Sequence, residues 1–286
     1  MKKVNLISVF NDTEKQIEQT PFLSNSVAYS IENSKIYLEN DKIMCPIVAE
    51  TTPNIYISKR KTFEAAQRLV KKYPDKKVAV LNFASATTPG GGVVRGSRAQ
   101  EESLCRCSTL YNVLNAQKFW NEFYTPNRRA NNPLHKDDCI YSPDIVVFKT
   151  DDGNYNLMPQ RNWYKVDVVT CAAPNLRSNP SNKFNVSDGK SVDITDDELY
   201  DIHFQRAFHI LTAMRANDVD IAVLGAFGCG AFKNDPRIVA KAYFDVIREY
   251  DKQFFAIEFA IYCNDYETEN YMAFCHEFKQ PPNTGI

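Results

Sequence analysis

Two adjacent carboxylates that follow a run of glycines are the residues of this chain best suited to chemistry. In TTPGGGVVRGSRAQEES, Thr87 to Ser103, Gly90, Gly91 and Gly92 stand in succession in a chain with only ten glycines, and Gln100, Glu101 and Glu102 follow after seven intervening residues. Consecutive glycines cost roughly 0.5–1 kcal/mol each relative to alanine in regular structure, so this stretch needs bare backbone. Either a ligand comes close there, or the loop takes dihedral angles that a side chain forbids. Neighbouring like charges raise the pKa of one carboxyl, and burial against a ligand raises it further. A glutamate in that state holds a proton at neutral pH and can donate it to a leaving group. A plainer reading competes. Acidic residues are favoured in a first helical turn by the backbone dipole, and Glu102 with Arg106 at i,i+4 would form a surface pair contributing only a few tenths of a kcal/mol.

A second glycine cluster, GAFGCGAF, places Gly225, Gly228 and Gly230 between an apolar run and a proline-started helix. Such a loop can aim several backbone N–H groups at one point, which cradles phosphate without cationic side chains. No Gly-Lys-Ser/Thr follows, and the G-x-G-x-x-G spacing of dinucleotide folds is absent. By shape alone, a strained turn that needs glycine for positive φ explains the cluster equally well. Phe227 and Phe232 put aromatic rings where a ribose or base could pack, although core burial is the commoner fate of phenylalanine. Cys229 lies between glycines but has no histidine nearby in sequence to make it a nucleophile. His135, His203, His209 and His276 lack metal-ligand spacing, and the pair Cys105 and Cys107 has no second pair at zinc-finger distance. No metal or redox cofactor is expected.

The elements that must position these groups alternate. Extended pieces SKIYLEN and PNIYISK follow an early helix, and Phe63, Ala66, Leu69 and Val70 recur at helical spacing until Pro74 and Asp75. Val78 to Phe83 is a continuous apolar run of the kind covered on both faces. One helix is expected from Ala99 to about Gln117, then a polar segment, PNRRANNPLHKDD, then strands around DIVVFK and VDVVTCAAPN. The last third reads helix (DDELYDIHFQRAFHILTAMRAND), strand (IAVLGAF), helix (DPRIVAKAYFDVIREYDKQ), strand (FAIEFAIYC) and a final helix around NYMAFCHEFK. Residues 175–196 read as a surface excursion. Buried strands alternating with helices imply a three-layer α/β domain with its ligand site at the carboxyl ends of the strands, where both glycine clusters fall.

Composition bounds the rest. The 286 residues, 44% apolar and 24% charged with net charge −1, suit one soluble domain with no bulk attraction to nucleic acid or membrane. Any anion must therefore be held by local geometry. Eight irregularly spaced cysteines and no signal-peptide pattern suggest reduced thiols and a cytoplasmic protein.

The run LNFASATTPGGGVVRGSRAQEESLCRCSTLY, Leu81 to Tyr111, resembles the signature of the microbial-type poly(ADP-ribose) glycohydrolases, a branch of the macrodomain superfamily. VLGAFGCGAFKNDPRIVA, Val223 to Ala240, is similar to the diphosphate loop and following helix of that family, and the resemblance covers about residues 45–280. It implies a mixed-sheet α/β/α macrodomain-like fold, with residues 1–45 as a helical and extended cap and 46–286 as the catalytic domain. It also implies hydrolysis of ribose–ribose O-glycosidic bonds in poly(ADP-ribose) with release of ADP-ribose. By the same resemblance Glu102 is the general acid and base, and Glu101 hydrogen-bonds ribose hydroxyls. Asn82 holds the distal ribose, while Gly90, Gly91 and Gly92 admit it to the backbone. Residues Gly228, Cys229, Gly230, Ala231 and Phe232 wrap the diphosphate, with Phe232 or Phe227 against ribose and Tyr262 stacked on adenine. Ala84, Val93, Gln100 and Gly225 complete the expected contacts. Two other activities suit the same pocket: removal of single ADP-ribose units from protein or nucleic acid, and non-catalytic ADP-ribose binding. The intact glutamate pair weighs against the latter, which has no use for two carboxylates facing an anion.

Overall fold

Val78–Phe83 is apolar at nearly every position, so it needs cover on both sides, and it forms the middle strand of the sheet. The computed structural model describes residues 4–45, 52–178, 192–249 and 253–281. Its strands are β1 (Lys35–Tyr37), β2 (Asn54–Ser58), β3 (Val78–Phe83), β4 (Cys139–Val147), β5 (Tyr164–Cys171), β6 (Ile221–Leu224) and β7 (Ala256–Ala260), in the order β1-β4-β5-β3-β6-β7-β2. β5, β3, β6, β7 and β2 run parallel, whereas β4 is antiparallel to both β1 and β5. The helices are α1 (Leu6–Gln19), α2 (Pro21–Asn33), α3 (Thr62–Lys72), α4 (Gln100–Cys107), α5 (Leu110–Leu114), α6 (Gln117–Phe119), α7 (Thr125–Ala130), α8 (Asp196–Arg215), α9 (Pro236–Glu249) and α10 (Glu269–Glu277).

Successive strand residues serve two cores, as the pleat demands. Leu81, Val169, Ala222 and Ile257 pack with α8, α9 and α10. Val80, Val168, Ile221 and Val223 pack with α3, α4 and α5 on the opposite face. The result is the three-layer α/β arrangement expected from the alternation. None of the described helices is long and apolar enough to cross a membrane.

Residues 4–45 are built into this body. β1 pairs with β4 as an edge strand of the sheet. The Asn5 side chain caps α1 by accepting from the Ile7 and Ser8 N–H groups at 3.1 and 3.2 Å. Lys149, 2% exposed, sends its ammonium to Asp12 at 2.7 Å, the Val9 carbonyl at 3.0 Å and the Thr13 hydroxyl at 2.8 Å. Thr13 in turn donates to the Arg106 carbonyl at 2.6 Å, which joins α1 to the last turn of α4.

Two expectations need correction. The helix expected from Ala99 to Gln117 breaks at Ser108, whose backbone is extended and bridges Val147. The Thr109 N–H bonds the Val146 carbonyl, and the Thr109 hydroxyl accepts from the Val146 N–H, each at 3.1 Å, so pairing with β4 overrides the helical period. The polar segment PNRRANNPLHKDD begins not as a connection but as α7, with Pro126 in its first turn. Within the excursion expected over 175–196, residues 179–191 lie outside the described residues. Its end is ordered by Thr195, which caps α8 reciprocally with Glu198.

Candidate active site

The carboxyl ends of β3 and β6 and the loops that leave them line a cleft of about 1170 Å³. Gln100 sets the entry of α4. Its carbonyl accepts the Phe83 N–H at 2.9 Å, and its amide donates to the Leu81 carbonyl at 2.8 Å and to the Thr62 hydroxyl at 3.1 Å. The side chain thus behaves as an extra strand residue, stitching α4 to β3 and α3. Gln100 borders the cleft, but the amide read from sequence as a ligand contact is committed to the protein's own framework.

Locked in this way, the first turn of α4 brings both glutamates to the strand end, buried to 3% and 7% exposure. Glu101 Oε2 accepts the Ser85 N–H at 2.8 Å, and Oε1 accepts the Asn82 amide at 3.4 Å. Asn82 is fully buried and also donates to the Thr170 hydroxyl at 3.2 Å. It stands behind Glu101, whereas the sequence reading put it against a ribose. Glu102 Oε1 accepts the Gly92 N–H at 2.8 Å, and Glu102 Oε2 has no hydrogen-bond partner. The surface pair with Arg106 does not form, since Arg106 is itself fully buried and donates to the Ser97 carbonyl.

The glycine run follows from this arrangement. Gly91 has φ of 56°, and a Cβ there would stand 2.7 Å from Glu102 Oε1 and 3.0 Å from Glu101 Oε2. A Cβ on Gly90, at φ of 62°, would meet the Tyr111 ring at 2.8 Å, and one on Gly92 would strike Ser97. The bare backbone seats the carboxylates and the loop's own side chains. Ala84 and Val93 are fully buried and do not line this cleft.

Burial lifts the Glu101 carboxyl well above the ordinary carboxylate range. The Glu102 charge adds to the rise, against the pull of the Ser85 N–H and the Asn82 amide. Of the four oxygens, Glu102 Oε2 is the one without a donor.

Across the cleft, the loop after β6 is organised by Asn234, 2% exposed. Its amide donates to the carbonyls of Pro174, Gly228 and Phe232 at 2.7, 3.1 and 3.3 Å. Its Oδ1 lies 2.8 Å from His203 Nε2. Because the Asn234 nitrogen already faces carbonyls, Oδ1 is the acceptor and His203 carries its proton on Nε2. Burial pushes the His203 pKa down to about 4, which keeps the ring neutral. Gly228 takes φ of 79°, and a Cβ on Gly225 would stand 2.8 Å from the Phe83 ring and 2.9 Å from the Ala260 carbonyl. The N–H groups of Gly228, Gly230, Ala231 and Phe232 make no hydrogen bond among the described residues, and all four residues line the cleft. Four unpaired donors on one loop can serve as an anion cradle. Phe227, 1% exposed, packs edge-on against Phe83 with centroids 5.6 Å apart and forms part of the floor, while Phe232 is half-buried at the edge. Burial raises the Cys229 thiol well above its ordinary pKa, so it holds no nucleophilic thiolate. Tyr262, 65% exposed, stands beyond the end of β7 with the Lys61 ammonium 5.3 Å from its ring centroid.

Sequence reasoning missed Ser85, Asn234 and Asp151. Ser85 acts through its backbone, which carries no residue-type signal. Asn234 sits in plain view two residues before Pro236, but its role depends on Pro174 and His203, which are distant in the chain. Asp151 lines the cleft, accepts the Ser103 hydroxyl at 2.7 Å and is pushed by burial up to about 6. Among the described residues no three His, Cys, Asp or Glu side chains converge as metal ligands.

The model of the microbial-type PARG catalytic domain, PARG being poly(ADP-ribose) glycohydrolase, matches residues 6–150, half of the chain and all of the segment that carries the glycines and the glutamate pair. The chain belongs to this family of glycosidases. Solved structures extend the likeness past residue 150. The poly(ADP-ribose) glycohydrolase of Thermomonospora curvata superposes with a TM-score of 0.80 at 29% identity, covering 96% of this chain and 99% of its own. The same enzyme bound to the inhibitor ADP-HPD gives 0.77 at 28% identity with the same coverage. The Deinococcus radiodurans enzyme in complex with ADP-ribose gives 0.75 at 28% identity, covering 88% of this chain and 96% of its own. No curated protein sequence matches the chain.

Proposed function

We propose that this protein hydrolyses the ribose–ribose O-glycosidic bonds of poly(ADP-ribose) and releases ADP-ribose, with Glu102 as general acid and then general base. The observation that carries the assignment is the buried Glu102 Oε2, which has no hydrogen-bond partner, on a carboxyl whose other oxygen is fixed by the Gly92 N–H. Both Glu101 oxygens already accept N–H bonds, so Glu102 is the carboxyl with an oxygen left to hold and deliver a proton. The diphosphate of the released unit rests on the four free N–H groups of residues 228–232, and Tyr262 offers an exposed ring to the adenine. Glu102 protonates the departing 2′-oxygen as positive charge develops at the anomeric carbon. The resulting carboxylate then takes a proton from the water that attacks that carbon. Glu101, held from behind by Ser85 and Asn82, keeps lone pairs for ribose hydroxyls. None of the eight cysteines is in a disulfide, which suits a reducing compartment, and the cytoplasm is the proposed location.

Incubation with labelled polymer and with mono-ADP-ribosylated protein tests the reading. Free ADP-ribose is expected from polymer, and release from the mono-modified protein alone overturns it. Glu102→Gln is expected to lower turnover by about 10²–10⁴-fold, the range for a lost general acid, with ADP-ribose affinity within about tenfold, or ~1.4 kcal/mol. A fully active Glu102→Gln enzyme places the acid elsewhere.

A further inference from the structure

The cleft extends past the glutamates along the turn that follows Gly92. The Gly92 N–H bonds Glu102 Oε1, and the Gly92 carbonyl accepts the N–H groups of Arg95 and Ser97 at 2.9 and 3.1 Å. One residue therefore ties the segment 93–98 directly to the acid. Gly96, at φ of 76°, closes the turn against α1, where a Cβ would stand 3.2 Å from Ile7 Cγ1, and Arg106 holds the Ser97 carbonyl from beneath. On this braced turn Arg95 and Arg98 are exposed and line the same cleft as Glu102, and their side chains make no hydrogen bond or ion pair among the described residues.

The other basic groups of the lining are placed differently. Arg177 follows Leu176, whose N–H bonds the Phe232 carbonyl at 3.0 Å, so it stands beside the anion cradle. Lys61 lies 4.0 Å from Asp151 and over the Tyr262 ring. The carboxylates in this part of the lining are already engaged, Asp151 with the Ser103 hydroxyl and Asp152 with the Thr150 hydroxyl and the Asn154 N–H. Arg95 and Arg98 remain as paired cations beside the acid, on a chain whose net charge of −1 supplies no general attraction for anions.

The anion cradle leads into α9 and the glutamates open α4, on opposite faces of the sheet. A ligand with its diphosphate on the cradle and its scissile bond at Glu102 therefore leaves the site on the α4 side, past residues 93–98. In poly(ADP-ribose) the group departing from that bond is the adenosine of the next unit, followed by a second diphosphate. We propose that Arg95 and Arg98 form a second anion subsite that holds the diphosphate of this departing unit, so that the enzyme recognises two consecutive units of the polymer. Planar guanidinium groups suit this task because each can offer a phosphate two parallel N–H donors. The inference rests on the glycohydrolase reading above.

The test compares polymer with ADP-ribosyl-(1″→2′)-adenosine, which has the same scissile bond and no second diphosphate. For the Arg95→Ala/Arg98→Ala double variant, kcat/KM on polymer is expected to fall about tenfold or more, as for the loss of two charged hydrogen-bonding groups. Its dependence on salt should flatten, because part of the attraction is screened charge. Cleavage of the short substrate should stay within about twofold and ADP-ribose affinity should be unchanged, which also shows that the variant is folded. The Arg95→Lys/Arg98→Lys pair should recover part of the polymer rate. Equal losses on both substrates, or none on polymer, overturn the subsite alone. Wild-type enzyme that cleaves neither substrate overturns the glycohydrolase reading and the subsite with it.

Discussion

Replacing Gly91 by alanine tests whether the glycine run exists to seat the two carboxylates. At φ of 56° any L side chain is strained, by about 1–2 kcal/mol. The added Cβ would lie 2.7 Å from Glu102 Oε1, against the roughly 3.4 Å at which such atoms ordinarily touch, so about 0.7 Å must be found by moving one of them. If Glu102 retreats, its 2.8 Å bond from the Gly92 N–H stretches; if the loop yields, that N–H moves with it. Misplacing a reacting group by a distance of this order costs about 100-fold in rate, or ~2.7 kcal/mol of barrier. Gly91→Ala is therefore expected to lose about two orders of magnitude in kcat on polymer and to melt about 2–8 °C lower. Gly230→Ala is the companion. Its Cβ meets nothing within 4 Å and its φ is not left-handed, so the melting temperature should not change. That open space is where the diphosphate is proposed to rest, and ADP-ribose affinity should fall about tenfold or more. Steady-state hydrolysis, thermal melts and calorimetric titration with ADP-ribose read these quantities. A Gly91→Ala enzyme within threefold of wild-type kcat refutes the seating argument, and undiminished binding by Gly230→Ala refutes the placement of the anion.

Asn234→Ala removes the one amide that serves three loop carbonyls, and leaving a buried carbonyl unpaired costs about 1–3 kcal/mol. KM for polymer and the ADP-ribose Kd should rise with kcat little changed; a lower melting temperature with KM intact assigns Asn234 to stability alone. For Asp151, whose folded pKa of about 6 lies above the ordinary value of 3.8, the folded state binds the proton more tightly. That contribution is present at low pH and is lost as pH rises from about 4 through 6, by up to ~3 kcal/mol for two pKa units. Asp151→Asn should therefore gain on wild type in denaturant stability between pH 4 and pH 8, and a constant difference across that range contradicts the burial argument.

The division of labour across the sheet has a chemical logic. The loop after β6 offers the cleft four unpaired backbone N–H groups. The loop after β3 leads into the glutamate pair, and its conformation depends on contacts with four elements: Gln100 to β3 and α3, Ser97 to α4, and Gly96 to α1. Lys149 and Thr13 hold α1 in place, which links the N-terminal helix to the geometry of the site although neither residue lines the cleft.

By itself the sequence determined the layered α/β architecture, the strand ends at which the two glycine clusters fall, and the pairing of Glu101 with Glu102. These properties follow from local period and spacing. An apolar run from Val78 to Phe83 must be covered on both faces whatever else the chain does, and glycines at 90–92 must mark a backbone that side chains would obstruct. Only the tertiary structure decided which groups those glycines admit, that the Gln100 amide is consumed by β3, and that Asn82 stands behind Glu101. It also decided that the helix begun at Gln100 stops at Ser108 to meet β4, that β1 joins the sheet, and that one oxygen of Glu102 is left without a donor. Each of these outcomes is a hydrogen bond or contact between residues far apart in the chain, and such partners are chosen by packing, which no local spacing records.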